Sequence, residues 1–300
     1  MSHVGVVLLD KQPRVTSFAA LSSVKRAAST RKVGHTGTLD PFATGLLVAL
    51  VGSATRTARY FNGLPKRYEA TFAFGRETDT DDLTGTTSRE SPLPAYDAVL
   101  EALGRFRGEL EQLPPSYSAV HVQGRRAYEI ARAGQTAALS PRRVTVDRLE
   151  ACGAVVDHDA LVSLDVELSC SAGTYVRSIA RDLGRAVASA AHVTKLRRTA
   201  VGPFGVTSAV SPDELELPRD LHDLAEMLPA LDGIERLDVP ASVARAAAIG
   251  HRLGPDELNL GNDDDGSLLV LAHENRAVAI VSVNEGRVGY EMVIPVGGQR

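Results

Sequence analysis

The chain has 300 residues, of which 44% are hydrophobic and 23% are charged, and its formal net charge is −4. This length allows one large domain and a small one, each with its own core. The longest apolar run, residues 46–51, has six residues, which excludes a membrane span of ~20 residues. No signal-peptide pattern is present, and Cys152 and Cys170 do not have metal-ligand spacing, so the sequence predicts a reduced, cytoplasmic protein.

Charge is distributed unevenly along the chain. Residues 1–70 carry a net charge of +7 and residues 171–200 carry +5, whereas residues 211–300 carry −10. Phosphate groups, such as those of a nucleic acid, bind to local basic surface whatever the total charge of the protein. We therefore expect a phosphate-binding surface on the first two-thirds of the chain. The alternative is that these arginines only solvate the protein surface.

The N-terminal third alternates between strand and helix patterns. Residues 4–9 are apolar and rich in β-branched side chains, which predicts a strand. Residues 18–28 have helical spacing after Thr16-Ser17, a typical cap. Residues 46–51 and 54–61 are interpreted as buried helix or turn, and the alternation over residues 68–74 predicts another strand.

The middle third contains one helix, two strands and a second helix. Residues 96–106 have helical spacing, residues 143–152 and 160–170 alternate as strands, and residues 175–190 predict a helix after a glycine turn. Strands and helices do not repeat in the order β-α-β-α. The order therefore favours an α+β fold over a doubly wound sheet.

The chain changes character after residue 210. Prolines interrupt acidic helical segments over residues 211–238. Residues 239–300 contain a short helix, an acidic loop and two or three strands, at 267–273, 276–284 and 287–296. We therefore expect a large domain over residues 1–210, a linker or helical segment over 211–238, and a small, mainly β domain over 239–300.

One run of small residues surrounds a single carboxylate. Residues 34–46, Gly-His-Thr-Gly-Thr-Leu-Asp-Pro-Phe-Ala-Thr-Gly-Leu, set Asp40 among glycines and threonines, so a large ligand can approach the backbone closely. Asp40 is therefore a candidate nucleophile. The structural alternative is that Asp-Pro starts a helix, with Asp40 as its cap and Pro41 as its first residue. The two interpretations are compatible, because an aspartate at a helix N-terminus stays ionised.

The same run resembles the signature loop of the TruB family of tRNA pseudouridine synthases. Five further segments resemble family motifs in the same order and spacing, at residues 10–17, 66–68, 76–82, 173–184 and 191–198. The resemblance covers residues 4–210. The sequence departs from the family pattern at one point, where Arg14 replaces the glycine of Lys-Pro-x-Gly-x-Thr-Ser.

The resemblance implies three catalytic residues. Asp40 corresponds to the catalytic carboxylate, which acts on a nucleotide that has left its stack. Arg177 corresponds to the basic residue that pairs with this carboxylate and keeps it charged and oriented. Tyr68 corresponds to the platform on which the extruded base stacks, and it is also expected to handle a proton. Whether Asp40 attacks the sugar, attacks the ring or assists removal of a proton is left open.

The resemblance also implies residues that bind the substrate RNA. His35 corresponds to the side chain that fills the space left by the extruded nucleotide. The other residues with an implied binding role are Tyr175 and Leu196 in the base pocket, Asp82 close to the substrate, and Lys66 and Arg67 on the RNA.

The family implies a mixed, largely antiparallel sheet with flanking helices. Residues 114–141 resemble an insertion that grips the RNA stem, with a short helix over residues 127–133. The small C-terminal domain is expected to resemble a PUA domain. The expected partner is the T arm of tRNA, with the uridine at position 55 as target, and the chain is expected to act as a monomer without a cofactor or metal.

Two other functions are compared with this one. An RNA-binding helper that remodels the tRNA elbow would bind the same partner without depending on the chemistry, but it would have no use for an aspartate that faces phosphates. A nucleotide-phosphate cradle is excluded, because no Gly-x-x-x-x-Gly-Lys-Ser/Thr run exists and Asp40 would repel phosphate.

Overall fold

The computed structural model describes residues 3–118, 120–122, 124–135 and 138–294. The α-helices in these ranges are α1 (Ser17–Ala27), α2 (Ala58–Asn62), α3 (Tyr96–Leu103), α4 (Ala127–Arg132), α5 (Val176–Ala186), α6 (Leu224–Met227) and α7 (Ala241–Ala248). None of them has the length and apolar character that crossing a membrane requires.

The β-strands in the same ranges vary from two to sixteen residues. They are β1 (Gly5–Lys11), β2 (Val33–His35), β3 (Thr44–Val51), β4 (Lys66–Phe74), β5 (Arg76–Thr78), β6 (Thr87–Glu90), β7 (Gly108–Gln112), β8 (His121–Val122), β9 (Arg125–Arg126), β10 (Arg142–Asp157), β11 (Ala160–Cys170), β12 (Ala191–Val201), β13 (Phe204–Gly205), β14 (Ile234–Asp238), β15 (Leu268–His273), β16 (Arg276–Asn284) and β17 (Arg287–Val293).

The chain divides into two compact units. The first unit comprises the described parts of residues 1–40, 45–62 and 202–300, and the second comprises residues 41–44 and the described parts of 63–201. Both units combine helices with sheets in which antiparallel pairing predominates. The predicted α+β class with a largely antiparallel sheet is therefore confirmed.

Helix α1 and strands β1 to β3 form the N-terminal core of the first unit. Strand β3 pairs antiparallel with β1 on one side and with β2 on the other. Helix α1 begins where predicted, because the Thr16 side chain accepts a hydrogen bond of 3.1 Å from Ala19 N. The helix buries Ala20, Leu21 and Val24 in the same core as β1 and β3.

The interpretation of residues 46–51 as helix or turn is wrong. These residues belong to β3, and a 3₁₀ segment over Gly52–Thr57 and helix α2 follow it. An uninterrupted apolar run has neither a period of 2 nor one of 3.6, so the pattern alone could not distinguish a buried strand from a buried helix. The pairing of β3 with β1 decides in favour of the strand.

The C-terminal part of the first unit contains a second sheet. The strand order is β14-β15-β16-β17, with β14 parallel to β15 and the other pairs antiparallel. The predicted short helix corresponds to α7, and the predicted strands correspond to β15, β16 and β17, so the small β module is confirmed. Strand β14 was not predicted, because its sequence Ile-Glu-Arg-Leu-Asp is mostly polar, as is usual for an edge strand.

The second unit is built on an antiparallel sheet with the strand order β12-β4-β11-β10-β7. Burial alternates along β4, where Ala70, Phe72 and Phe74 point into the core and Arg67 and Glu69 are exposed. Helices α3 and α5 pack on the buried face. Within the predicted insertion, the structure confirms the short helix as α4, which follows the hairpin of β8 and β9.

The turn after β1 has a left-handed backbone at Arg14, the position where the family pattern has a glycine. Arg14 has a φ of 64°, a conformation that costs a residue with a side chain about 1–3 kcal/mol. Lys11 is fully buried and donates hydrogen bonds of 3.0 and 2.8 Å to the carbonyls of Gln12 and Val15. These bonds hold the turn in place from within.

Gly184 allows α5 to pack closely against the start of β12. A Cβ atom at this position would lie 2.6 Å from Ala191 N and 2.8 Å from Ala191 Cβ. We predict that Gly184→Ala lowers the free energy of unfolding by about 1–3 kcal/mol, because the helix must move away from the strand. Thermal unfolding followed by circular dichroism measures the effect.

Gly104 provides the matched control. It also follows helical residues, has φ −61° and ψ −26°, and a Cβ atom there would meet nothing within 4 Å. Gly104→Ala should leave the free energy of unfolding unchanged or raise it by up to about 1 kcal/mol. Equal midpoints for the two variants would contradict the packing argument.

Candidate active site

The glycine-threonine loop leaves β2 at His35 and belongs, up to Asp40, to the first unit. Gly37 has a φ of 129°, a conformation that only glycine adopts without strain. Leu39 is 3% exposed, and both of its backbone polar groups bond to the side chain of Ser17. Asp40 follows directly and is half-buried. The loop thus holds the candidate nucleophile on an irregular but anchored backbone.

No helix follows Asp40, so the interpretation of Asp-Pro as a helix start is wrong. Residues 41–43 form an irregular bend, and β3 begins at Thr44. The sequence after the proline is apolar and pairs as a strand, which overrides the local preference of Asp-Pro for a helix N-terminus. A helix dipole is therefore not available to stabilise the Asp40 carboxylate.

Arg177, in the first turn of α5 in the second unit, is 2% exposed. Its Nη1 atom donates a hydrogen bond of 2.7 Å to the carbonyl of Thr80, and its Nη2 atom donates one of 3.0 Å to the carbonyl of Tyr117. The Oδ2 atom of Asp82 lies 3.6 Å from Nη1. These contacts fix the plane of the guanidinium. The predicted pairing of Arg177 with Asp40 stays a prediction.

Asp82 is 4% exposed and organises the loop between β5 and β6. Its Oδ1 atom accepts hydrogen bonds from Thr80 Oγ1 at 2.8 Å, from Thr84 N at 2.9 Å and from Thr84 Oγ1 at 2.5 Å. Since Oδ2 faces Arg177, the carboxylate joins the loop to α5. Its predicted proximity to substrate remains a prediction.

Arg177 is the first of three arginines that lie one helical turn apart on α5. Arg181 forms an ion pair of 2.9 Å with Asp81, and Arg185 donates two hydrogen bonds, of 2.9 and 2.6 Å, to Glu77. The partners Asp82, Asp81 and Glu77 occur in the reverse chain order, so the segment runs antiparallel to the helix. We call Arg177, Arg181 and Arg185 the arginine row.

The acidic partners of the arginine row titrate differently. Burial raises the pKa of the Asp81 carboxyl to about 6, against the attraction of Arg181 and Arg177. Burial acts in the same direction on Glu77, but hydrogen bonds and charge from Arg185 and Arg89 outweigh it and lower the pKa of Glu77. The contacts with arginine therefore outweigh the cost of removing Glu77 from water, whereas for Asp81 they offset that cost only in part.

The two residues that precede the predicted insertion also bond to α5 and to Tyr175. The carbonyl of Leu113 accepts hydrogen bonds from Ser178 Oγ and from Arg181 Nη2, both at 2.9 Å. The buried side-chain amide of Gln112 accepts a hydrogen bond of 2.7 Å from Tyr175 N and donates one of 3.0 Å to the carbonyl of Tyr175. Tyr175, predicted for the base pocket, is therefore held by both of its backbone groups.

The remaining predicted residues of the second unit lie on β4 and β12. Tyr68 is half-buried and pairs across the sheet with Leu168 and Arg198. Leu196 is 7% exposed, and its cross-strand neighbour is Ala70. Both side chains belong to adjacent strands of one sheet, which gives them a fixed spacing.

Lys66 and Arg67 have opposite environments although they are consecutive. Arg67 is exposed, whereas Lys66 is 6% exposed and donates a hydrogen bond of 2.6 Å to the carbonyl of Leu64. Burial, followed by the charge of Arg198, lowers the pKa of Lys66 to about 8. Of the two, only Arg67 presents its charge to solvent in this structure.

Most of the basic side chains of segment 171–200 do not contribute to an exposed basic surface, although Lys195 is exposed and Arg197 is half-buried. Arg177, Arg181 and Arg198 are buried, and Arg185 is paired with Glu77. The charges of Arg177, Arg181 and Arg185 therefore serve internal pairing. By contrast, the exposed residues Arg26, Arg31 and Lys32 and the half-buried Lys25 make no ion pair with a described residue.

The sequence interpretation missed the contacts that hold the site. It did not identify Ser17, Gln112 or the pairing of Arg181 and Arg185 with Asp81 and Glu77. The arginine spacing i, i+4, i+8 within the 173–184 motif and beyond was a usable signal, since these residues share one helix face. The reciprocal bonds of Ser17 and Gln112 had no local signal, because their partners are 22 and 63 residues away.

Comparison with known protein families gives two matches along the chain. Residues 25–176 match the TruB family pseudouridylate synthase N-terminal domain, and residues 177–231 match the tRNA pseudouridylate synthase B C-terminal domain. The first match includes the Asp40 loop, and the second begins at Arg177.

Solved structures of low sequence identity share the fold. A Cbf5-Nop10-Gar1 complex contains a chain that is 22% identical, with a TM-score of 0.67 over 97% of this chain and 85% of that one. An H/ACA RNP bound to a substrate RNA with 2′-deoxyuridine contains one that is 21% identical, with a TM-score of 0.66 over 97% and 85%.

Curated proteins of higher identity match nearly the whole chain. A tRNA pseudouridine synthase B from Thermobifida fusca is 41% identical over 287 residues, which cover 94% of this chain and 95% of the relative. A tRNA pseudouridine synthase B from Mycobacterium bovis is 40% identical over 295 residues, which cover 92% and 95%. The relatives match more than 90% of the chain, and the two family matches include the Asp40 loop and Arg177. The chain therefore belongs to the TruB family of pseudouridylate synthases.

Proposed function

We propose that this protein isomerises uridine to pseudouridine in tRNA, and that its target is the uridine at position 55 in the T arm. The observation that carries the proposal is the identity of 41% to a tRNA pseudouridine synthase B over 94% of the chain. The Asp40 loop, held at Leu39 by the buried Ser17 hydroxyl, and Arg177, whose side chain is held by the Thr80 and Tyr117 carbonyls, supply groups suited to this reaction.

The reaction is a rearrangement within one nucleotide. The N1–C1′ bond of uridine breaks, the uracil turns, and a C5–C1′ bond forms. C5 then loses its proton, and N1 gains one. Atoms and electrons balance without an oxidant, a reductant or an energy source, so the proposed reaction proceeds without a cofactor.

Asp40 is the proposed catalytic carboxylate. A carboxylate beside C1′ can attack this carbon or stabilise the positive charge that develops there when the N1 bond breaks. Arg177 is proposed to orient the carboxylate and keep it ionised, since a guanidinium can donate two parallel hydrogen bonds to it. The carbonyls of Thr80 and Tyr117 hold the Arg177 side chain in one orientation.

The target nucleotide has to leave its stack before a carboxylate can reach C1′. We propose that His35 fills the vacated space and that Tyr68 stacks on the extruded base and handles a proton. Tyr175 and Leu196 are proposed to line the base pocket. The half-buried environment of Tyr68 on β4 and the apolar, buried Leu196 on the neighbouring β12 suit these roles.

The RNA surface is proposed to include the basic end of α1 and the segment that follows it. Lys25 and Arg26 in the last turn of α1, then Arg31 and Lys32, lead into β2 and the His35 loop. Arg67 contributes a further exposed charge.

Two other parts of the chain have proposed roles in a monomeric protein. Residues 114–141 are proposed to grip the RNA stem, and residues 239–300 are proposed to form a PUA-like module.

A reaction with an unmodified tRNA transcript tests the function. Purified protein is incubated with the transcript in buffer without added metal or cofactor, and pseudouridine is mapped at nucleotide resolution. We expect one site, at position 55. Unaltered tRNA that is nevertheless bound and refolded would support the helper function instead, and pseudouridine elsewhere would contradict the T-arm target.

Asp40→Asn tests the catalytic carboxylate. We predict that product formation falls by at least about 10³-fold while the tRNA dissociation constant changes by no more than a few-fold, because the lost charge acts on the transition state. Single-turnover assays and filter binding measure the two quantities. Asp147 is exposed on β10, so Asp147→Asn controls for the loss of one negative charge. Wild-type activity of Asp40→Asn would contradict the assignment of Asp40 as the catalytic carboxylate.

The double variant Arg31→Gln, Lys32→Gln tests the RNA surface. We predict weaker tRNA binding and a slope of log K against log salt that is smaller in magnitude by about 1–2, since up to two phosphate contacts are lost. The matched control is Arg245→Gln, Arg252→Gln, which removes two exposed charges from the acidic C-terminal part. Identical salt slopes for both double variants would contradict the proposed surface.

A further inference from the structure

Ser17 is the first residue of α1, and its hydroxyl serves a residue 22 positions away. The Oγ atom accepts a hydrogen bond of 2.8 Å from Leu39 N and donates one of 3.0 Å to the carbonyl of Leu39. Both residues are 3% exposed. One buried hydroxyl therefore satisfies both backbone groups of the residue that precedes Asp40.

The hydroxyl of Ser17 is not needed to cap its own helix. Thr16 performs this function through its side chain, which accepts a hydrogen bond from Ala19 N. The two consecutive residues thus have different roles, because Thr16 caps α1 and Ser17 binds the Asp40 loop at Leu39. Without Ser17, two buried backbone groups of Leu39 would lose these partners.

The backbone that Ser17 holds lies outside the regular elements. Residues 36–40 belong to no helix or strand, and Gly37 within them has a φ of 129°. Helix α1, by contrast, is anchored through Ala20, Leu21 and Val24 in the core of the first unit. Two hydrogen bonds to one residue restrict both its translation and its rotation, and thus the direction in which the Asp40 side chain leaves the backbone.

We propose that Ser17 is a positioning residue that fixes the Asp40 carboxylate in its reactive orientation through the backbone of Leu39. The inference rests on the proposed role of Asp40. A carboxylate displaced by about 1 Å from its reacting atom loses on the order of 10²-fold in rate. Binding of the tRNA depends on other surfaces and should not change with Ser17.

The test compares Ser17→Ala with Ser23→Ala. Ser23 lies on the same helix, is 8% exposed, and donates its hydrogen bond of 3.1 Å to the carbonyl of Ala20 in the preceding turn. Both variants remove one buried hydroxyl from α1, but only Ser17→Ala releases the loop. Single-turnover rates, tRNA dissociation constants and thermal midpoints are measured for both, at a temperature well below either midpoint.

We expect Ser17→Ala to lower the single-turnover rate by about 10- to 100-fold, with a tRNA dissociation constant within threefold of wild type. Ser23→Ala should keep the wild-type rate. Ser17→Cys, in which a similar volume carries a weaker hydrogen-bonding group, should give an intermediate rate, and it replaces Ser17→Ala if that variant does not fold.

Three outcomes would overturn the proposal. They are a wild-type rate for Ser17→Ala, an equal loss of rate in Ser17→Ala and Ser23→Ala, and a loss that appears only in tRNA binding. Failure of the proposed function itself is distinguishable, because wild-type protein would then form no pseudouridine.

Discussion

Three arginines, one turn apart on α5, neutralise a buried acidic segment. Arg177, Arg181 and Arg185 reach Asp82, Asp81 and Glu77 in reverse order. Arg177 also bonds to the carbonyl of Tyr117 within the predicted insertion, and Arg181 to that of Leu113 just before it. For the buried pairs of Arg177 and Arg181, removing one partner costs about 3–5 kcal/mol, because the remaining charge stays out of water. The arginine row therefore fixes the loop between β5 and β6 and the start of the insertion to a single helix.

This constraint gives the proposed mechanism a physical basis. A guanidinium can orient a carboxylate only if other contacts prevent it from moving with the carboxylate. Arg177 meets this condition, because two backbone carbonyls and Asp82 hold it. The two hydrogen bonds between Gln112 and Tyr175 likewise fix the backbone of the residue that caps α5. Since the start of the insertion shares this network, an RNA stem gripped by the insertion would be tied mechanically to the proposed catalytic arginine.

The sequence was sufficient to predict the elements that have clear local signals. It was insufficient where contacts between distant residues determine the structure. Helix α1 was predictable from its Thr16 cap and apolar spacing. Strand β12 was not predicted, because a bulge between Val193 and Lys195 shifts its alternation and the buried position 198 carries an arginine. The Asp40 loop stood out through its composition and its resemblance to a family motif. The spacing of the arginine row indicated one shared helix face, but its acidic partners could not be predicted, because Arg181 and Asp81 are 100 residues apart.

The proposed mechanism requires that C1′ of the target uridine lies beside residue 40. The structure of the Asp40→Asn protein in complex with an unmodified tRNA transcript measures this. We expect that the uridine at position 55 has left its stack, lies against Tyr68, and has C1′ in van der Waals contact with the side chain at position 40. A uridine still stacked within the T loop, or a side chain at position 40 that faces away from the bound nucleotide, would contradict it.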